Sequence, residues 1–271
     1  MRDGEPARSV GVALNFANRD PRLVINLIKT LEAQTRPPEA VALVNFGKPC
    51  AELENLVTSL PYTYRHLPQG ELFSLTLAKN QTFRLLPPLE SVLFLDADML
   101  LAPDFIERGL RHLKPGFMIN CRIQNLPREA LTPQTDVVRD FDRLKTLAEV
   151  RKEITAVGAC QWVRTKVFRE LRGHDEGFKM WCFEDMDFQR RARWMGLWPV
   201  AMEEETTMLH QWHPSKDDVI KNRNAPESQP ARFWYKRNLN RLRMRALLYD
   251  IGKYNACHIN REGWGRMVEL K

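Results

Sequence analysis

Residues Ser91 to Asp104 read Ser-Val-Leu-Phe-Leu-Asp-Ala-Asp-Met-Leu-Leu-Ala-Pro-Asp. The run from Val92 to Leu95 is short, bounded and β-compatible, the pattern of a strand buried on both faces of a parallel sheet. Asp96 and Asp98 follow it. In open α/β sheets ligands bind in the crevice beyond the carboxyl ends of the strands, and a hard divalent cation carrying a phosphate needs acidic oxygens there. A strand cap leading into a helix accounts for Pro103 and Asp104, which suit a first helical turn and its positive end. It accounts for neither Asp96 nor Asp98, so these two are candidate metal ligands.

Further along the chain, a small-residue strand beginning Val157-Gly-Ala-Cys-Gln-Trp162 leads into Gly173-His-Asp-Glu-Gly-Phe178 and then Trp181-Cys-Phe-Glu-Asp-Met-Asp187, with a helix ending at Gly196. His210-Gln-Trp-His-Pro214 comes shortly after. Toward the N-terminus, Val10 to Asn15 reads as a first strand and Asn15-Phe-Ala-Asn-Arg19 as the loop beyond it. Asp20 can cap the next helix, with Pro21 in its first turn and Leu23, Leu27, Ile28 and Leu31 on one face. Ala40 to Asn45 reads as a second strand, and Leu77-Ala-Lys-Asn80 as the start of a helix.

In this order the motifs resemble nucleotide-sugar-dependent glycosyltransferases of the GT-A fold. The likeness is to the family-2 type group in the first half and to relatives that add galactose or N-acetylgalactosamine in the acceptor half. An ordered set of motifs is more specific than any one member. The resemblance implies an α/β fold, a Rossmann-like, mostly parallel central sheet flanked by helices, with a helical basic C-terminal segment. It implies one catalytic domain over residues 1–215, with a nucleotide-binding half over about 8–100 and an acceptor half over 101–215, and a basic extension over 216–271 packed on it. Asn15 and Arg19 stand where the family has a Thr-x-Asn-Arg type loop. Val44-Asn45-Phe46-Gly47 stands where the family's Val-Val-Asp-Asp-Gly-Ser segment holds the nucleoside, with Asn45 replacing the base-contacting Asp. Lys79 replaces the Arg of an Ala-Arg-Asn helix start near the diphosphate. These residues, with Asp96 at the ribose or at the metal's water, are the expected nucleotide-binding set.

Transfer of a sugar from a nucleotide diphosphate leaves a phosphate with added negative charge, which calls for a divalent cation on the diphosphate oxygens. Asp98 is the expected direct ligand and Asp96 a supporting one. A site of carboxylates, one imidazole and phosphate oxygens suits Mn2+, and Mg2+ less well. His213 is the candidate imidazole, because resembling enzymes close a downstream His over the metal; His210 reads as a loop histidine with no metal. The acceptor hydroxyl needs a base, and the resemblance assigns it to Asp185, with Glu184 binding acceptor or donor hydroxyls. Trp181 and Phe183 beside these carboxylates form the usual surface for a sugar's apolar face. The acids also sit where a helix running to Trp194 would begin, and its dipole alone would favour them there.

Composition sets the remaining bounds. A chain of 271 residues, 44% of them apolar, can bury a sizeable core. There is no run long enough to span a bilayer, and Met1 to Ala7 is charged without an apolar stretch behind it, so a cytoplasmic location is expected, with peripheral membrane contact as a further option. Five scattered cysteines, without CxxC spacing, read as buried or incidental thiols. A formal charge of +7 attracts polyanions in general. Lys236, Arg237, Arg241, Arg243 and Arg245, interleaved with Phe233, Trp234, Tyr235, Leu239, Leu242 and Met244, resemble a basic helix that rests on anionic lipid. The competing reading packs Leu239, Leu242 and Leu247 on the domain and solvates the charges. Arg190, Arg191 and Arg193 read chiefly as a solvated helix face.

The expected partners are a nucleotide sugar, with a UDP-sugar favoured as donor, and a glycan, lipid-linked or other hydroxyl acceptor, with nucleic acid less favoured. Other readings stay open: a retaining enzyme in which Asp185 only orients substrate, a nucleotidyltransferase, or a non-catalytic glycan- or nucleic-acid-binding module. A nucleotidyltransferase normally opens with a Gly-rich basic loop, and Val10 to Asp20 holds only Gly11. A phosphatase of the Asp-x-Asp type needs a small hydroxyl residue soon after the pair, where Met99-Leu100 stands.

Overall fold

The computed structural model describes residues 5–17, 19–68, 73–121, 123–150, 158–202, 205–214, 228–250, 260 and 263–266. The first half runs β1 (Val10–Phe16), α1 (Pro21–Glu32), β2 (Ala40–Asn45), α2 (Ala51–Thr58), β3 (Thr63–His66), α3 (Leu75–Arg84), β4 (Ser91–Asp96), β5 (Met99–Leu101) and α4 (Phe105–His112). It continues with β6 (Phe117–Asn120), β7 (Ile123–Asn125), α5 (Phe141–Leu147), β8 (Glu149–Val150), β9 (Cys160–Arg164), α6 (Thr165–Glu170), α7 (Glu184–Trp194), β10 (Trp198–Ala201), β11 (Met208–His210) and a last helix, α8 (Ser228–Asp250).

A seven-stranded sheet in the order β10-β6-β9-β4-β1-β2-β3 forms the centre, and all its pairings are parallel except those of β9 with β4 and β6. Its middle strands are buried on both faces. Val12, Leu14, Leu93 and Leu95 enter one core with α1 and α4, whereas Ala13, Val92 and Phe94 enter a second with Phe168 and Phe188. That split follows from the two-residue period of a strand, and it explains the unbroken apolar run before Asp96. A smaller sheet, β5-β11-β7-β8, covers a third core of Leu100, Leu126, Phe141, Leu144 and Leu209.

Helix starts follow their local chemistry. Asp20 caps α1 by accepting from the Arg22 amide at 3.0 Å, with Pro21 in the first turn. The buried face of α1 is Val24, Leu27, Ile28 and Leu31, one position on from the expected Leu23. Pro103 lies before α4 instead of inside it, and Asp104 makes no side-chain cap: its carboxylate accepts from Thr206 Oγ1 at 2.7 Å and Arg108 Nε at 2.8 Å. Cys121, Cys160 and Cys182 are buried thiols and Cys50 a half-buried one, while Cys257 lies outside the described residues. Among the described residues no helix is long and apolar enough to cross a membrane.

Helix α8 docks on α7, and of the leucines that the sequence suggests only Leu242 is fully buried. Leu242 is buried, but Leu239 is half-buried and Leu247 exposed, and the docked stripe is completed by Ala231, Asn238 and Arg245. Polar contacts hold this face. Arg241 donates to Asp175 at 2.7 and 3.0 Å, and Arg245 pairs with both Asp175 and Asp187. Arg191, expected on a solvated face, is wholly buried: it donates to Asp187 at 2.8 Å and to the carbonyls of Leu171 and Gly173 at 2.9 Å. Asp175, Asp187, Arg191 and Arg245 are excluded from water and stable only as a set, with the half-exposed Arg241 closing it from outside.

Removing Asp187 should therefore leave Arg191 and Arg245 buried without their shared counterion. Asp187→Ala should lower unfolding stability by about 3–5 kcal/mol, read from urea melts monitored by circular dichroism. A change below about 1 kcal/mol would show that the network contributes little.

Candidate functional site

Strand β1 pairs with β2 on one side and β4 on the other, so the direction of strand succession reverses between β1 and β4. A crevice opens beyond carboxyl ends at such a reversal. Asn15 and Asp96 are register partners there, and Asp98 lies in the turn just after β4.

The small sheet brings the histidines to Asp98. β11 runs antiparallel to β5 with His210 opposite Met99, and the Gln211 amide donates to the Asp98 carbonyl at 2.9 Å. Gln211 itself turns inward, accepting from Asn26 Nδ2 and donating to the Leu23 carbonyl, both at 2.9 Å. Its neighbours are thereby fixed around Asp98. His213 Nε2 lies 3.0 Å from Asp98 Oδ2, His210 Nε2 lies 3.8 Å from Asp98 Oδ1, and the two Nε2 atoms are 3.1 Å apart. One ligand atom from each of the three residues falls within 4.8 Å of the others. Asp96 is not one of this group.

Arg19 closes the outer side, with Nη2 3.5 Å from Asp98 Oδ2 and Nη1 2.8 Å from His213 Nδ1. Burial pushes the Asp98 carboxyl up, but the His213 hydrogen bond and the charges of His210 and Arg19 outweigh it, and the group is held below the usual carboxylate range. Asp98 Oδ1 is buried with no hydrogen-bond partner. His210 Nδ1 lies 3.1 Å from Asn125 Oδ1; in the neutral ring, donation there leaves on Nε2 the lone pair that a ligating imidazole requires. His210 is the member that sequence reasoning missed. The signal was the spacing to His213, three residues on, combined with a strand ending between them.

A second group of charges lies across Asp96. Lys79 on α3 is buried with its Nζ 3.9 Å from Glu184 Oε1, and neither Lys79 Nζ nor Glu184 Oε2 has a hydrogen-bond partner. Burial raises the Glu184 carboxyl to about 7, helped by the charge of Asp185 and opposed by Lys79. Burial likewise raises Asp96 to about 6, with Lys79 pulling down and Asp98 pushing up. Lys79, Asp96, Glu184 and Asp185 thus form one electrostatic cluster in which one ammonium faces three acids. Asp185 is half-buried on the first turn of α7; its Oδ1 accepts from the Met186 amide at 2.8 Å, and Gly158 leaves it room, since a Cβ there would meet Asp185 Oδ2 at 2.9 Å.

The acids are presented by a strained loop. Met180, Cys182 and Phe183 have φ of 57°, 90° and 70°, the left-handed region that costs about 1–3 kcal/mol for a residue with a side chain. Asn238 of α8 holds this loop, accepting from the Lys179 amide at 3.3 Å and donating to the carbonyls of Lys179 and Trp181 at 2.8 and 3.2 Å. Trp181 and Phe183 are half-buried, and Phe183 packs its ring 5.1 Å from that of Tyr235. Asn45, at the end of β2, is wholly buried and closes its own turn: it donates to the Lys48 carbonyl at 2.7 Å and accepts from the Gly47 amide at 2.8 Å.

No protein-family profile matches the sequence, and no curated protein matches it. Solved structures do match. A crystal structure of GalNAc-T7 with UDP, GalNAc and Mn2+ aligns with a TM-score of 0.59 and 14% identity over 82% of this chain. This chain spans 45% of that one. The S. aureus TarS fragment 1-349 in complex with UDP aligns with a TM-score of 0.55 and 13% identity, covering 86% of this chain and 71% of that one. At these identities the likeness shows the fold, an α/β GT-A arrangement with a large, mostly parallel central sheet.

The raised carboxyl of Glu184 has a pH signature. An ordinary glutamate releases its proton near 4.5 and Glu184 holds its own to about 7, so between these values the folded chain keeps a proton that the unfolded chain has lost. Stability from this group is complete below that window and is lost as pH rises through it. Glu184→Gln has no such proton, so its melting temperature should gain on the wild type from pH 4.5 to about 7 and run parallel above. Parallel curves throughout would contradict the burial of an ionisable Glu184.

Proposed function

We propose that this chain is a metal-dependent glycosyltransferase that moves a sugar from a nucleotide diphosphate sugar, with a UDP-sugar the favoured donor, to a hydroxyl of a glycan, lipid-linked or other acceptor. Transfer inverts the anomeric centre, with Asp185 as base. The observation that carries this reading is the meeting of two charge groups at the β1/β4 reversal: Asp98 with His210 and His213 on one side, Glu184 with Asp185 on the other. Residues 1–215 then act as one catalytic domain, with the nucleotide half over about 8–100, and residues 216–271 as an extension.

Asp98, His210 and His213 would hold the cation, which when bound stabilises the charge developing on the leaving diphosphate. The donor set fits: Asp98 Oδ1 is buried and unsatisfied, and a carboxylate with two imidazoles suits Mn2+ better than Mg2+. Arg19 and His213 offer two hydrogen-bond states. With Arg19 donating to Nδ1, His213 donates from Nε2 to Asp98; with Nδ1 donating instead to the Pro214 carbonyl at 2.8 Å, Nε2 is left with a lone pair. Lys79 supplies a desolvated positive charge beside the diphosphate. Asn15 and Asp96 contact the nucleoside's sugar, and Asn45 shapes the base pocket by holding the turn after β2. Glu184, protonated for part of the time near neutrality, donates or accepts a hydrogen bond to a substrate hydroxyl. Asp185 takes the acceptor's proton as its oxygen attacks the anomeric carbon, and Trp181 and Phe183 hold the acceptor ring.

Calorimetric titration of UDP with MnCl2 separates the metal residues from the nucleotide residues. Asp98→Ala should abolish manganese-dependent UDP binding with the fold intact, and His210→Ala should weaken it about 10–100-fold. Asp96→Ala should lose more nucleotide affinity than metal affinity. Unchanged binding by Asp98→Ala would refute the metal assignment.

Asp185→Asn keeps the shape of the side chain but cannot accept a proton. Donor affinity should survive while transfer falls by about two to four orders of magnitude, read as kcat with manganese and an accepted sugar or glycan. Near-normal turnover would remove the base role, and a product of retained configuration by NMR would move the enzyme to the retaining class.

A further inference from the structure

Helix α8 is patterned the wrong way round for a helix that merely packs on its domain. Its buried stripe is Ala231, Asn238, Leu242 and Arg245, at intervals of seven, four and three residues. Two positions along, at the same intervals, lie Phe233, Asn240, Met244 and Leu247, and this second stripe sits about 200° around the helix, on the opposite face. Phe233, Met244 and Leu247 are 54%, 58% and 55% exposed. The helix thus sets Asn238 and Arg245 inward beside Ala231 and Leu242, and Phe233, Met244 and Leu247 outward around Asn240. Exposed apolar residues scattered singly need no explanation, but a stripe of them does.

Charge decides what covers the stripe. Lys236 and Arg243 flank it on one side and Arg237 on the other, all exposed, and no acidic residue occurs between Ser228 and Tyr249. Arg237 lies over the Phe233 and Trp234 rings at 5.5 and 5.6 Å, its charge carried on the aromatic edge of the stripe. Arg241 and Arg245 take no part, because Asp175 and Asp187 hold them inward. A second copy of this chain would bring the same basic flanks against each other. Nucleic acid would match the charges but leaves Met244 and Leu247 without a stacking or apolar partner. An anionic bilayer surface matches both: acyl chains take the stripe and headgroups take the flanks.

We propose that α8 is a membrane-docking helix that lies in the interface of an anionic bilayer through Phe233, Met244 and Leu247, with Lys236, Arg237 and Arg243 on the headgroups. The proposal stands apart from the reaction assigned above. The contact is peripheral, and the buried stripe keeps α8 attached to the domain while the outer stripe meets lipid.

The test is co-sedimentation of the full chain with vesicles of phosphatidylcholine alone or mixed with phosphatidylglycerol. The wild type should sediment with the mixed vesicles, less so as salt is raised, and little with phosphatidylcholine alone. Replacing Lys236, Arg237 and Arg243 with Gln should weaken partitioning about a hundredfold, from about 1 kcal/mol per basic side chain. Replacing Phe233, Met244 and Leu247 with Ser should weaken it about tenfold or more. These side chains are exposed, so melting temperature should hold in both variants and serves as the folding control. Failure of the wild type to sediment, or equal sedimentation by all three proteins, would overturn the proposal. So would self-association of the wild type in light scattering that the Ser variant abolishes, because the stripe would then belong to a second copy.

Discussion

A carboxylate at the end of a sheet covered on both faces has little water around it, so it must be met by a cation, a proton or a hydrogen bond. Much of this molecule is arranged to meet that demand. Asp98 has His210, His213 and Arg19; Asp96 and Glu184 share Lys79 and keep protons to about 6 and about 7; Asp175 and Asp187 share three arginines. The first two groups are incompletely satisfied, with Asp98 Oδ1, Lys79 Nζ and Glu184 Oε2 lacking hydrogen-bond partners, whereas the carboxylates of the third are hydrogen-bonded throughout. Under-satisfied buried charge is what a ligand can complete. The third network instead fixes where α7 and α8 lie.

The strands that frame the crevice were legible because a doubly covered strand writes itself as an apolar run: Val10 to Phe16, Ala40 to Asn45 and Ser91 to Asp96 lie within a residue or so of their expected bounds. The α7 start at Glu184 was legible too, from its acids. The site was legible less evenly. Asp98 and His213 come together, and His210 joins them through the β11–β5 pairing that aligns it with Met99, a pairing of residues so distant in sequence that the spacing to His213 was the one local sign of it. The docked face of α8 was read only in part, with Leu242 buried but Leu247 turned outward, for a different reason. Hydrophobic periodicity assumes that the apolar side faces in, and a helix held by Asn238 and Arg245 breaks that assumption.

Holding the helix this way has a consequence for the loop ahead of α7. Three residues with side chains in left-handed backbone conformations would relax if the surroundings allowed it. The amide of Asn238 bonds four groups of that loop, and Leu75 adds a backbone bond from its amide to the Met180 carbonyl at 2.9 Å. Strain and clamp together place Phe183 at the cap of α7, so Glu184 and Asp185 begin the helix at the crevice instead of one turn away.

The two ends of the crevice therefore depend on different parts of the chain. Asp98, His210 and His213 hang on the small sheet and on Gln211, which is anchored to α1. Glu184 and Asp185 hang on the loop that α8 clamps. The ends meet through Asp96 and Lys79, whose charges reach the acids on α7 without a direct hydrogen bond. In the proposed reaction the loop that α8 clamps positions Glu184 and Asp185, while the small sheet and α1 position Asp98 and the two histidines.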